Sequence, residues 1–158
     1  MFTAVVGIGL LLLICLPRFS SDANAFRPFA ASAKAIDHFT LKTVGFISRF
    51  KSYMIKLHSE HPYETHILDF EGSGELPTII LVHGLSSCGA DFYPLVRSLQ
   101  GECRRVVCID LPGHGLSQID PTTDLETVER WMVEAVREAI IKLNCGRCIL
   151  FGNSLGKK

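Results

Sequence analysis

Residues 148–156 read CILFGNSLG, and the reading of that stretch decides the fold. Cys148-Ile-Leu-Phe151 is a short apolar run without polar alternation, the pattern of a strand covered on both faces. It leads directly into Gly152-Asn-Ser-Leu-Gly156. Glycines two positions either side of a serine suit a sharp strand-to-helix turn that projects the hydroxyl above a sheet. Gly152 and Gly156 are expected to remove side chains that would collide with the adjoining strand and helix.

Working backwards, the segment from Thr123 to Leu143 is the best helix in the sequence. Leu125, Val128, Met132, Val136, Ala139 and Leu143 keep one face. Thr123 and Glu126 are spaced as a capping box, and Asn144-Cys-Gly146 ends the pattern. Arg105-Val-Val-Cys-Ile109 is a second buried strand, with Cys108 as a small core residue. Phe92, Leu95, Val96 and Leu99 form a shorter helical stripe, with Asp91 as a cap and Pro94 tolerated in the first turn. Thr78-Ile-Ile-Leu-Val82 is a third buried strand, preceded by the turn cluster Glu71-Gly-Ser-Gly74.

Strand, helix, strand, helix, strand implies two crossover units building a parallel sheet flanked by helices. Ligands of such sheets bind at the carboxyl ends of the strands. The loops there read His83-Gly-Leu-Ser-Ser-Cys-Gly89, Asp110-Leu-Pro-Gly-His-Gly-Leu-Ser117 and Gly152-Asn-Ser-Leu-Gly156.

The "LVHG" strand end, the "DLPGHGLS" loop and the "GNSLG" turn, in that order, resemble the α/β-hydrolase family over about residues 63 to 156. The resemblance implies a partial α/β-hydrolase fold ending at the nucleophile elbow. It makes Ser154 the nucleophile and places the oxyanion donors on the backbone N–H groups of Leu85 and Leu155. His83, Gly84, Asp110, Gly113, His114, Gly115, Gly152 and Gly156 become supporting residues, with the histidines and Asp110 bracing loops. Serine at the elbow favours acyl transfer, as in an esterase, lipase, thioesterase, amidase or carbon–carbon bond hydrolase. No metal or organic cofactor is implied, and the implied substrate is a small-molecule or lipid ester.

The family's triad runs serine, acid, histidine, and only Leu155, Gly156, Lys157 and Lys158 follow Ser154. His38, His58, His61 and His66 precede the sheet core and carry no motif. The expectation is an N-terminal piece of a serine hydrolase, inactive as it stands. The alternative is a non-catalytic secreted or membrane-associated binding protein derived from the same fold.

The remaining sequence bears on location. MFTAVVGIGLLLLICL at residues 1–16 is an uncharged apolar run, shorter than the ~20 residues of a usual span. Ala23-Asn-Ala25 is a small-x-small triplet, so residues 1–25 are expected to be a cleaved signal peptide or a membrane anchor. Within residues 26–60, Ile36, Phe39, Thr43, Ile47, Phe50, Met54 and Leu57 recur at three- and four-residue intervals, with basic residues between. This predicts a basic amphipathic helix that packs on the following domain, 61–158, or lies on a membrane surface through residues 34–58. Sixteen basic residues balance sixteen acidic ones, which offers nothing to attract nucleic acid. Cys145-Gly-Arg-Cys148 precedes a strand and has no companion ligand pair, so a disulfide or two free thiols are expected there rather than a redox or zinc site.

Overall fold

The computed structural model describes residues 50–57, 63–120 and 122–157. The expected signal or anchor, and residues 34–49 and 58 of the expected amphipathic helix, lie outside the described residues. Five strands form one sheet: β1 (Lys51–Lys56), β2 (Glu64–Glu71), β3 (Thr78–Val82), β4 (Arg105–Ile109) and β5 (Cys148–Gly152). Two helices, α1 (Tyr93–Leu99) and α2 (Leu125–Lys142), connect β3 to β4 and β4 to β5. Short 3-10 turns cover Gly89–Phe92 and Ser154–Lys157.

The strand order is β1-β2-β4-β3-β5. Strands β4, β3 and β5 run parallel, in the register Val82↔Ile109 and Val82↔Gly152 at their carboxyl ends. The expected all-parallel sheet is corrected at one edge, where β1 and β2 pair antiparallel and β2 pairs antiparallel with β4. Sequence reading passed over β2 because Thr65, His66 and Asp69 interrupt its apolar residues. Two of those polar groups are matched by partners on other elements, His66 by Asp110 and Asp69 by Arg105, while the buried Thr65 hydroxyl has no hydrogen-bond partner.

The helical stripe drawn through Phe50, Met54 and Leu57 is also corrected, because Lys51–Lys56 is a strand. The operative period there is two: Tyr53, Ile55 and Leu57 turn towards the core, while Ser52, Met54 and Lys56 are exposed. Apolar residues three or four apart fit a helix, but the residues between them decide the period.

Each face of the sheet carries its own core. Ile67, Ile80, Val82, Val107 and Ile109 pack under α2 with Ala135 and Ala139. Leu68, Phe70, Ile79, Leu81 and Val106 pack on the other face with Val96 of α1. Adjacent residues of β3 thus enter opposite cores, which is why the run is apolar throughout. Each fully buried aliphatic side chain contributes about 1.5–3 kcal/mol. The Cys108 side chain is buried in the second core. β5 is an edge strand among the described residues, and Ile149, Leu150 and Phe151 are each roughly half exposed.

Two caps differ from expectation. Asp124, not Thr123, caps α2, its carboxylate accepting the Thr127 N–H at 2.9 Å. Leu125 then falls off the buried face and is exposed. Asp91 sits at the third position of the turn preceding α1, where it accepts the Cys88 N–H at 3.1 Å and the Ser87 hydroxyl at 2.7 Å. Pro94 occupies the first turn of α1. Cys145 and Cys148 both carry free thiols.

Candidate active site

The order of the sheet creates the site. The connection after β3 leads to β4 on one side, whereas the connection after β4 crosses back to β5 on the other. The carboxyl end of β3 therefore stands where the chain reverses direction across the sheet, the position at which open α/β sheets hold ligands. His83, Asp110 and Ser154 follow the ends of β3, β4 and β5 along this rim.

Ser154 has φ +52°, in the left-handed region that a residue with a side chain enters at a cost of roughly 1–2 kcal/mol. Its neighbours hold it there. The Asn153 N–H donates to the Val82 carbonyl at 3.0 Å, tying the turn to the end of β3. The Gly156 N–H donates back to the Asn153 carbonyl at 2.9 Å. A Cβ on Gly156 would stand 2.5 Å from the Val82 carbonyl oxygen and 3.0 Å from that of His83. One on Gly84 would stand 2.9 Å from Ser154 Cβ. The loop after β3 is thus pressed against the serine turn, with glycine on each side of the contact. Leu85 follows Gly84 immediately and its side chain is exposed. Gly152 pairs with Val82 as the last residue of β5. Ser154 is itself exposed, and among the described residues no imidazole or carboxylate hydrogen-bonds to its hydroxyl.

His83 is fully buried, and both of its ring nitrogens are engaged. Nδ1–H donates to the Gly84 carbonyl at 2.7 Å, and Nε2 accepts the Leu111 N–H at 3.0 Å. This pattern fixes the neutral tautomer and leaves no lone pair for a serine proton. Burial pushes the imidazole below its usual range, against the opposing pull of the Gly84 carbonyl. His114 lies against His83 with ring centroids 5.2 Å apart, and its Nδ1 lies 3.1 Å from the Pro112 carbonyl.

Asp110 organises the loop between β4 and α2. Its carboxylate accepts the Gly89 N–H at 2.6 Å, the Leu116 N–H at 3.0 Å and His66 Nδ1–H at 2.8 Å. Burial alone would raise its pKa, but the His66 hydrogen bond, with the two backbone donors, holds it below the usual carboxylate range. Gly115 has φ +53°, and a Cβ there would overlap the Asp110 carboxylate. Gly113, at φ +78°, turns the same loop beside Ile119. Ser117 closes it, donating to the Asp110 carbonyl at 2.7 Å and accepting the His66 N–H at 2.8 Å.

His66 and Ser117 escaped sequence reading as interacting residues. Ser117 ends a motif already singled out, but His66 carries no motif, and only a strand assignment for β2 would have set it beside the end of β4. Beyond the elbow, an apolar cavity of about 260 Å³ lies between α2 and β5, lined by Leu111, Met132, Val136, Leu150 and Gly156.

The sequence model of the alpha/beta hydrolase family matches residues 79–156, from β3 through the serine turn. Residues 79–156 belong to the α/β-hydrolase family. The chain is similar to the sn-1-specific diacylglycerol lipase ABHD11 of Danio rerio, 31% identical over 90 residues, covering 56% of this chain and 27% of the lipase. It resembles the enzyme of the same name from Mus musculus at 31% over 98 residues, covering 61% and 30%. The chain therefore spans less than a third of the length of these α/β-hydrolase relatives. The crystal structure of E-2-(acetamidomethylene)succinate hydrolase superposes with a TM-score of 0.56 at 30% identity, over 68% of this chain and 37% of that one. A membrane phospholipase A shares the fold at a TM-score of 0.56 and 23% identity, over 96% and 43%.

Proposed function

We propose that the chain supplies the nucleophile and oxyanion side of an α/β-hydrolase that cleaves esters, with lipid esters as the substrate class. Ser154 is the nucleophile in this reading, and the N–H groups of Leu85 and Leu155 receive the negative charge that develops on the acyl oxygen. The observation that carries it is the left-handed Ser154 held against Gly84 and capped by Gly156. A strained serine costs stability, and the geometry is retained where a hydroxyl must be raised from a sheet. Attack by Ser154 Oγ would form a tetrahedral oxyanion, and one oxyanion donor is typically worth about 2.7–4 kcal/mol there. The lipid assignment draws on the names of the diacylglycerol lipases that the chain resembles.

The base and acid of this site lie, in this reading, outside the described residues. His83 is committed to backbone, and the Ser154 hydroxyl has no hydrogen-bonded imidazole among the described residues. The N-terminal apolar run would direct the chain to secretion or to a membrane.

A chimera tests the assignment. Residues 63–156 replace the matching segment of the Danio rerio lipase, and diacylglycerol hydrolysis is followed. The expected result is an active chimera that loses at least ~10⁴-fold in kcat when Ser154 becomes alanine, as nucleophile removal does in serine hydrolases. An active chimera indifferent to Ser154→Ala would overturn the proposal.

A further inference from the structure

Away from Ser154, a second serine stands at the head of a hydrogen-bonded chain. Ser52 Oγ lies 2.8 Å from His66 Nε2, and His66 Nδ1 lies 2.8 Å from Asp110 Oδ2. We propose that Ser52, His66 and Asp110 form a relay that makes Ser52 a nucleophile toward activated acyl and phosphonyl donors.

The geometry has the parts that such a relay needs. A base must lie within ~2.6–3.2 Å of the proton it removes, and a third group must orient the base. β1 and β2 pair Ser52 with Leu68 and Met54 with His66, so the serine reaches diagonally across the ladder to the imidazole. The two groups behind it are sealed, His66 being 2% exposed and Asp110 3%, while Ser52 itself is open to solvent. The Asp110 carboxylate can only accept, which assigns the ring proton to Nδ1. A neutral His66 then directs its Nε2 lone pair at the Ser52 hydroxyl. The main chain of His66 is pinned as well, by the Ser117 hydroxyl and the Asp110 N–H, so the ring has little freedom to swing away.

The reaction balances without any further participant. Ser52 Oγ attacks the acyl carbon of an aryl ester, its proton passes to His66 Nε2, and the Oγ–C bond replaces the C–O bond to the aryloxide. The aryloxide leaves with the electron pair and takes up the proton. With a fluorophosphonate, an Oγ–P bond forms, the P–F bond breaks and fluoride departs. Good leaving groups define the substrate class, since Ser52 stands on a strand and not in a loop built around an oxyanion.

The inference does not rest on the reading of Ser154, and one experiment separates the two. The 158-residue chain is treated with a fluorophosphonate and digested with trypsin, which releases Ser52–Lys56, Ser98–Arg104 and Cys148–Lys157 as distinct peptides. The expected label falls on Ser52–Lys56, at least ~10-fold above that on Ser98–Arg104, general-base assistance being worth ~10²–10⁴. Ser98 is an exposed serine with no imidazole partner, and Ser98→Ala leaves the labelling of Ser52–Lys56 unchanged. Ser52→Ala removes the label from its peptide and lowers p-nitrophenyl acetate cleavage by a similar factor, with the far-ultraviolet circular dichroism spectrum retained. Asp110→Asn, where folded, weakens the label in the same direction. Absence of label on Ser52–Lys56, or labelling no faster than at Ser98, overturns the proposal whatever happens on Cys148–Lys157.

Discussion

Asp110 receives the Nδ1–H of His66 at 2.8 Å across a separation of 44 residues, and the same carboxylate takes backbone N–H groups from two loops. One buried charge thus joins β2, the end of β4 and the turn before α1. Removing it would leave the buried donors of His66, Gly89 and Leu116 unmatched.

The carboxylate also sets an acid limit on stability. The folded pKa of Asp110 is depressed, while an unfolded aspartate titrates near about 3.9. Its contribution is complete above the unfolded value and drains away as pH falls through the folded one. Urea unfolding of the full chain should show stability decreasing on the acid side of about pH 4. Asp110→Asn should cost ~1–3 kcal/mol at neutral pH, the range for leaving a buried donor unmatched, and flatten that acid slope.

Tyr53 sets the opposite limit. Burial first, and then the hydrogen bond of 2.9 Å to Asp69, push its phenol up to about 12. A raised pKa contributes stability that is fully present below the unfolded value near about 10 and is lost as pH climbs through the folded one. Titration followed at the phenolate absorbance band should therefore contain a component near pH 12, and Tyr53→Phe should remove it.

The serine turn predicts two stability changes of opposite sign. Ser154→Gly relieves a left-handed side chain and should stabilise by up to about 1 kcal/mol, at the expense of the hydroxyl. Gly156→Ala drives a methyl group into the Val82 carbonyl and should destabilise by ~1–3 kcal/mol. Chemical denaturation of both variants checks the pair. Equal and small effects would mean that the turn is not strained.

Among the described residues β5 presents half-exposed Ile149, Leu150 and Phe151 on a sheet edge, an arrangement that favours strand-to-strand association. Sedimentation velocity of the chain should show concentration-dependent self-association. Ile149→Lys should reduce it, because a lysine on an edge strand opposes pairing.

Much of this architecture is legible locally. The bounds of β3 and β4 follow from apolar runs between turn signals, and the run that opens at Cys148 anticipates β5. The amphipathic face of α2 was legible too, although its cap moved to Asp124. Legibility fails where polar residues are buried. Thr65, His66 and Asp69 make β2 look like surface, because the partners of His66 and Asp69 lie on strands and loops far along the chain. β1 misleads for another reason, because Phe50, Met54 and Leu57 fit a helical spacing although Met54 and Leu57 face opposite ways on a strand. Pairing with β2 selected the strand.

The sequence by itself determined the buried strands, the long helix and the serine turn, since each depends on neighbours within a few residues. Tertiary structure alone decided the antiparallel edge and the alignment of Ser52, His66 and Asp110. Those features depend on which distant donor meets which acceptor once water is excluded. A hydrogen bond between groups many residues apart leaves no periodic trace in the chain that makes it.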